Sequence, residues 1–171
     1  MIDELPGHRC EMVRIVSHRM PGENVRDVVA LEFAWDDSTV LTIDVNADWT
    51  LCLSRTRWVE PFPGATAAER ELFPDLGIWE VDDAPVGPAS IVGRTVTAAE
   101  PMFNEVGEFS GITILFEGVS VRAFSFGGDL QVELGRQYGV RSRLRGGNAS
   151  LARADDPSTG GRRRRGLTRR R

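Results

Sequence analysis

Two segments about 81 residues apart carry the same pattern, and that pattern limits the possible folds more than any other feature. Asp44-Val45-Asn46-Ala47-Asp48-Trp49-Thr50-Leu51-Cys52-Leu53 lines up with Ser125-Phe126-Gly127-Gly128-Asp129-Leu130-Gln131-Val132-Glu133-Leu134. Both read as the end of a strand, a tight turn carrying an aspartate, and a strand with apolar residues at every second position. Upstream, Ile15 matches Val96 and Asn24-Val25 faces Glu105-Val106. Leu31-Glu32-Phe33 matches Ile114-Leu115-Phe116 after a two-residue insertion. An internal repeat over about 8–54 and 90–135 predicts a mainly β chain of about eight strands in two related four-stranded meanders. Two such sheets pack as a sandwich or close into a partly open barrel.

In the first unit, Met12 to Arg19 reads as a strand and Pro21-Gly22-Glu23-Asn24 as a loop. Val28 to Trp35 places Val29, Leu31, Phe33 and Trp35 on one face. Asp36-Asp37-Ser38 makes a turn, since Asx side chains bond back to their own backbone. Leu41, Ile43 and Val45 then point one way, and Thr42, Asp44 and Asn46 the other. Ala47-Asp48 leads into a strand carrying Trp49, Leu51 and Leu53. The unit is expected to have one wet face and one dry face.

The middle of the chain breaks this rhythm. Thr66-Ala67-Ala68-Glu69 fits a capping box, which predicts one short helix near 67–73 stopped by Pro74. Trp79-Glu80-Val81 reads as a short edge strand. In the second unit Ile112, Ile114 and Phe116 share a face, as do Leu130, Val132 and Leu134. Val119 and Val121 differ in parity from Phe124 and Phe126, although all four read as buried; a β-bulge near Arg122-Ala123 is expected, with a fully buried strand as the alternative.

Charge divides the chain. All 21 basic residues are arginine, as in the coding of a GC-rich bacterial genome. Through residue 135 there are nine arginines against 23 acids, and beyond it 12 against two. An acidic β-rich domain over 1–145 is therefore expected to carry a basic tail. Residues 146–171 hold almost nothing to bury and are expected to be disordered. No apolar run reaches the roughly 18 residues of a membrane span, and the acidic start lacks a secretory h-region. With two lone cysteines, Cys10 and Cys52, the chain reads as cytoplasmic.

Sites of chemistry are few. His8, Cys10 and His18 lack the paired short spacings of a zinc site, and His8 lies in a segment expected to be too mobile to fix geometry. No metal and no cofactor are therefore expected. Cys52 faces outward from its strand, and no nucleophile elbow is present. Asp36-Asp37, Asp82-Asp83, Asp44, Asp48, Glu32 and Glu117 read as turn or outward acids, mostly a solvated face. A glycosidase-like pair among them would need a set separation. Gly127-Gly128 reads as a hairpin turn. The candidate binding residues are Asp36, Asp37, Asp44 and Asp48 on the acidic body, with Trp58 and Trp79 in or beside loops, because tryptophan is favoured at binding hot spots. In the tail, Arg162, Arg163, Arg164, Arg165, Arg169, Arg170 and Arg171 offer guanidinium forks for phosphate. Without interleaved aromatics, any nucleic-acid binding there would be non-specific.

The runs Ile91-Val92-Gly93-Arg94-Thr95-Val96, Asn104-Glu105-Val106-Gly107 and Gly111-Ile112-Thr113-Ile114-Leu115-Phe116 resemble short uncharacterised bacterial β-rich proteins, some of which are immunity-type or effector-associated partners. The resemblance covers about residues 8–135 and carries no functional residues with it. The acidic body and the tryptophan-bearing loop region lead instead to the expectation of a non-enzymatic binding module that masks a basic protein with an acidic face, as an immunity-type inhibitor does. A small-ligand or enzymatic β-barrel, with Cys52, Asp44 or Glu117 in a pocket, is the alternative. Tail-driven nucleic-acid binding is another.

Overall fold

A computed structural model describes residues 1–73, 76–83 and 85–136, the last without its side chain. After a 3-10 turn at Ile2–Glu4, nine strands follow among the described residues, which are β1 (Cys10–Arg19), β2 (Asp27–Trp35), β3 (Val40–Val45), β4 (Leu51–Ser54), β5 (Ile78–Asp82), β6 (Val96–Phe103), β7 (Phe109–Phe116), β8 (Val119–Phe126) and β9 (Asp129–Arg136). They form two antiparallel sheets, ordered β4-β3-β2-β1-β5 and β6-β7-β8-β9, with no closed barrel. Both meanders run in sequential order, and β5 joins the first sheet beside β1. Among the described residues no helix is long and apolar enough to cross a membrane.

Period-2 alternation positions the core. Val13, Leu31, Phe33, Trp35, Leu41 and Ile43 face inward from the first sheet and meet Ile112, Ile114, Phe116, Val121, Ala123 and Leu130 of the second. Phe33 stacks on Trp35 with centroids 5.4 Å apart, and Phe116 closes on both at 6.3 and 6.5 Å. These rings join the two sheets across the space that a ligand-holding barrel would leave open.

The turns follow their chemistry. In Trp35–Thr39 and Asn46–Thr50 the third residue, Asp37 or Asp48, accepts both the N–H and the hydroxyl of the threonine two positions on. Those bonds hold both carboxyls below the usual carboxylate range. The fourth residue, Ser38 or Trp49, has a positive φ of 66° or 68°. This is a three-residue hairpin loop, a type I turn completed by a left-handed residue. Trp49 is thus an exposed turn residue rather than part of β4, and its indole lies against Gly128. The β8–β9 hairpin turns on Gly127 and Gly128, both at positive φ. A side chain at Gly128 would crowd that indole at 3.2 Å and be strained by the φ of 94°.

The capping box is present. The Thr66 hydroxyl accepts the Glu69 N–H and Glu69 accepts the Thr66 N–H, opening the helix α1 (Ala67–Leu72). Two expectations fail. No bulge occurs near Arg122-Ala123, because β8 keeps unbroken register with both neighbours. Ala123 fills the inward position, while Phe124 takes the Arg122 guanidinium over its ring and Phe126 is exposed. The breaks in register fall instead between β1 and β2 and between β6 and β7. Nor is the second face of the first sheet uniformly wet. Val16, Ala30, Glu32 and Thr42 are buried there, outside the intersheet core. The end of the expected 1–145 domain beyond residue 136 and the expected disordered segment 146–171 lie outside the described residues.

Candidate functional site

The buried second face is covered by the excursion between β4 and β5, and one carboxylate anchors it. Glu32 pairs in register with Arg14 on β1 and Thr42 on β3, and Thr42 pairs with Ser54 on β4, forming a polar row across four strands. Its side chain is fully buried and accepts the Arg14 guanidinium. It also accepts the Trp58 backbone N–H at 2.8 Å and the Thr42 hydroxyl at 3.1 Å. That hydroxyl is also within reach of the Thr56 carbonyl, at 2.7 Å. Arg14 extends the row toward Asp83, 4.0 Å away. Glu32 is therefore no outward solvated acid, as its parity suggested; the returning chain at 56–58 removes it from water, and a buried carboxylate needs such partners.

A single arginine organises the rest of the excursion. Arg70, on α1, donates to the carbonyls of Gly77 at 2.7 Å, Phe62 at 2.8 Å, and Ala65 and Leu76 at 3.3 Å, and pairs with Glu60. Five acceptors for one planar fork fix three stretches of chain against each other. On this frame Val59, Phe62, Leu72 and Phe73 remain exposed, Val59 and Leu72 at more than two-thirds (74% and 71%). A shallow groove of about 410 Å³ runs between Phe62 and Phe73, with Leu76 and Ala65 in its lining.

Trp58 and Trp79 come together here. Their rings lie 5.4 Å apart, and His18 tilts against Trp79 at 4.5 Å. Both indoles are half-buried, and the Trp79 N–H donates to the Leu76 carbonyl.

The four aspartates do not share a patch. Asp36 and Asp37 sit in the β2–β3 loop and Asp48 in the β3–β4 loop, at opposite ends of a six-residue strand about 20 Å long. Asp44 lies between them, opposite Cys52. At the Asp36 end the structure fixes His8, contrary to the expected mobility. Its Nδ1 is 3.5 Å from Asp36 and 3.6 Å from Asp37, and its ring stands near Trp35. These side chains place three possible ligand atoms within 4.8 Å of one another beside a small cleft of about 150 Å³. Asp36 already accepts the Arg9 N–H and Asp37 the Thr39 donors, so the trio reads as a clasp on the turn. The arginines from Arg162 to Arg171 lie outside the described residues.

Nothing activates the thiols. Burial pushes the Cys10 thiol up to about 11, and burial together with the Asp44 carboxylate raises that of Cys52. Both are neutral thiols at pH 7–8, hence poor nucleophiles. In the native protein a disulfide reagent at pH 8 is expected to modify half-exposed Cys52 slowly and Cys10 only after denaturant is added. Rapid native labelling of Cys10 would show that β1 opens at its start.

Arg70 and Glu32 escape a reading of the sequence because their partners are main-chain groups or residues far along the chain. The single available signal was Glu32 standing between Leu31 and Phe33 in a strongly apolar strand. In comparisons with known proteins, no protein family, no curated protein and no solved structure matches this chain.

Proposed function

We propose that this protein is a non-enzymatic binding module that holds a basic protein partner on the excursion between β4 and β5, in the manner of an immunity-type inhibitor. One observation carries the reading: Val59, Phe62, Leu72 and Phe73 are exposed on a segment pinned by Arg70 and anchored by Glu32. Large apolar side chains held in place before binding lose little conformational freedom on association, and such anchors dominate interface energies. The acids supply the second element. With nine arginines against 23 Asp and Glu through residue 135, the described body presents an excess of negative charge. Asp36, Asp37, Asp44 and Asp48, spread along β3 and its loops, contribute to that field collectively rather than as a contact patch. Distributed charge accelerates encounter more than it tightens the complex.

The test separates these roles in the full-length chain. The wild-type protein is expected to capture a basic partner stoichiometrically from native extract. The exposed pair Phe62→Ser/Phe73→Ser is expected to lose that partner while melting at a similar temperature. Asn at Asp36, Asp37, Asp44 and Asp48 is expected to slow association about tenfold at low salt, with dissociation unchanged. Undiminished capture by the phenylalanine variant would overturn the assignment of the surface. An association rate indifferent to both salt and the four substitutions would overturn the charge mechanism.

A further inference from the structure

A two-sheet sandwich has four edges, and three of these are blunted. β4 has four residues and β5 five, and Pro85 follows β5 closely. β6 contains Pro101 and two breaks in register. Short strands, prolines and bulges all discourage another chain from adding to an edge. β9 has none of these protections: it runs eight residues without proline and without a break in its register to β8. Among the described residues, no backbone group outside β8 pairs with it. The sandwich is also open on this side. A cleft of about 320 Å³ has Val28, Val86, Leu130, Val132 and Leu134 in its lining, and Leu134, which faces inward, is 40% exposed.

We propose that β9 is a self-pairing edge, through which two copies of the chain join antiparallel about a two-fold axis at Val132 and merge their four-stranded sheets into one. The sequence of β9 selects this register. A two-fold axis perpendicular to the sheet keeps inner faces together, so each residue must meet one of its own parity. Centred on Val132, the inner stripe matches Val132 with its own copy and Leu130 with Leu134 of the second chain. On the outer face Gln131 meets Glu133, and Asp129 meets Gly135, which has no side chain to obstruct it. No like charges oppose each other. Centring on Gln131 would set Asp129 against Glu133 twice, and centring on Glu133 would set that carboxylate against itself. Cross-strand like-charge pairs destabilise a sheet, so both alternatives are disfavoured.

Gln131 provides the test, because it is exposed on the outer face and its replacement leaves the core untouched. Sedimentation velocity of the full chain over a concentration series is expected to show a monomer–dimer equilibrium. Gln131→Glu places two new carboxylate pairs across the axis and is expected to raise Kd on the order of tenfold. Gln131→Arg creates two ion pairs with Glu133 and is expected to lower Kd several-fold, and high salt should shrink both differences. Hydrogen exchange should show the outward amides of β9 gaining protection as concentration rises. A wild-type chain that stays monomeric throughout overturns the proposal. So does a dimer whose Kd is the same in all three proteins, which would place the contact elsewhere. Protection of β9 only when another protein is added would assign the edge to that partner instead.

Discussion

Replacing Glu32 by alanine is expected to lower the free energy of unfolding by about 3–5 kcal/mol, the usual cost of removing one partner from a buried ion pair. The carboxylate is fully buried and accepts three donors, so its loss acts at three places. The Arg14 guanidinium, only 17% exposed, loses its buried counter-charge and keeps only the exposed Asp83 carboxylate 4.0 Å away. The Trp58 N–H loses its acceptor, and Thr42 keeps only the Thr56 carbonyl. For a chain of this size the melting temperature should fall by about 10 °C. Glu32→Gln retains an acceptor for Trp58 and is expected to lie between the two. The double variant Glu32→Leu/Arg14→Met removes both charges and should recover the part of the loss due to the unpaired arginine, while the Trp58 N–H still lacks its acceptor. Urea titration followed by tryptophan fluorescence measures all four proteins. A loss below about 1 kcal/mol for Glu32→Ala would mean that water reaches the vacated site and that the excursion is loosely seated. Because Glu32 holds Trp58, the alanine variant should also weaken capture of the partner more than its global stability alone accounts for.

Phe116→Ala is expected to cost about 3–5 kcal/mol by a different route. Phe116 belongs to the second sheet but touches Phe33 and Trp35 of the first, so truncation opens a cavity at the junction between sheets. Both neighbouring rings are held on β2, in the sheet opposite Phe116, and cannot collapse far to fill it. Phe126→Ala provides the comparison. That ring is 72% exposed on the outer face of β8, and its removal should change stability by no more than about 0.5 kcal/mol. Equal losses at the two positions would show that the faces of the second sheet are misassigned. Calorimetry or urea unfolding distinguishes the outcomes directly.

The contrast between Phe116 and Phe126 marks how far local pattern reaches. Ile112, Ile114 and Phe116 were legible as one inner face because they stand at every second position, with Gly111, Thr113 and Glu117 at three of the four places beside them. In β8 the apolar residues change parity, and a bulge was one solution. The chain takes another, placing Ala123 inward and leaving two phenylalanines outside, one under Arg122. Exposed aromatics follow no rule that a strand pattern could reveal, since much of any folded surface is apolar. Trp49 was read as a strand residue for the same reason; its left-handed turn position became visible only with the hairpin closed over Gly128.

The candidate site was legible in part. Trp58 and Trp79 were singled out, and the fold brings them together. The four aspartates were grouped by composition, and the fold distributes them along a strand. Arg70 was invisible, because four of its five acceptors are backbone carbonyls, which every residue carries.

What the sequence determined by itself was the β class, the strand segments, the helix start at Thr66 and the hairpin chemistry of the aspartate and glycine turns. These depend on a backbone period of two and on bonds between residues two to four apart. The tertiary structure alone decided that β5 joins β1, that Glu32 is buried, and that Trp58 meets Trp79. Each of those outcomes requires residues tens of positions apart to meet, and whether a polar group is desolvated depends on what returns to cover it rather than on its neighbours in the chain.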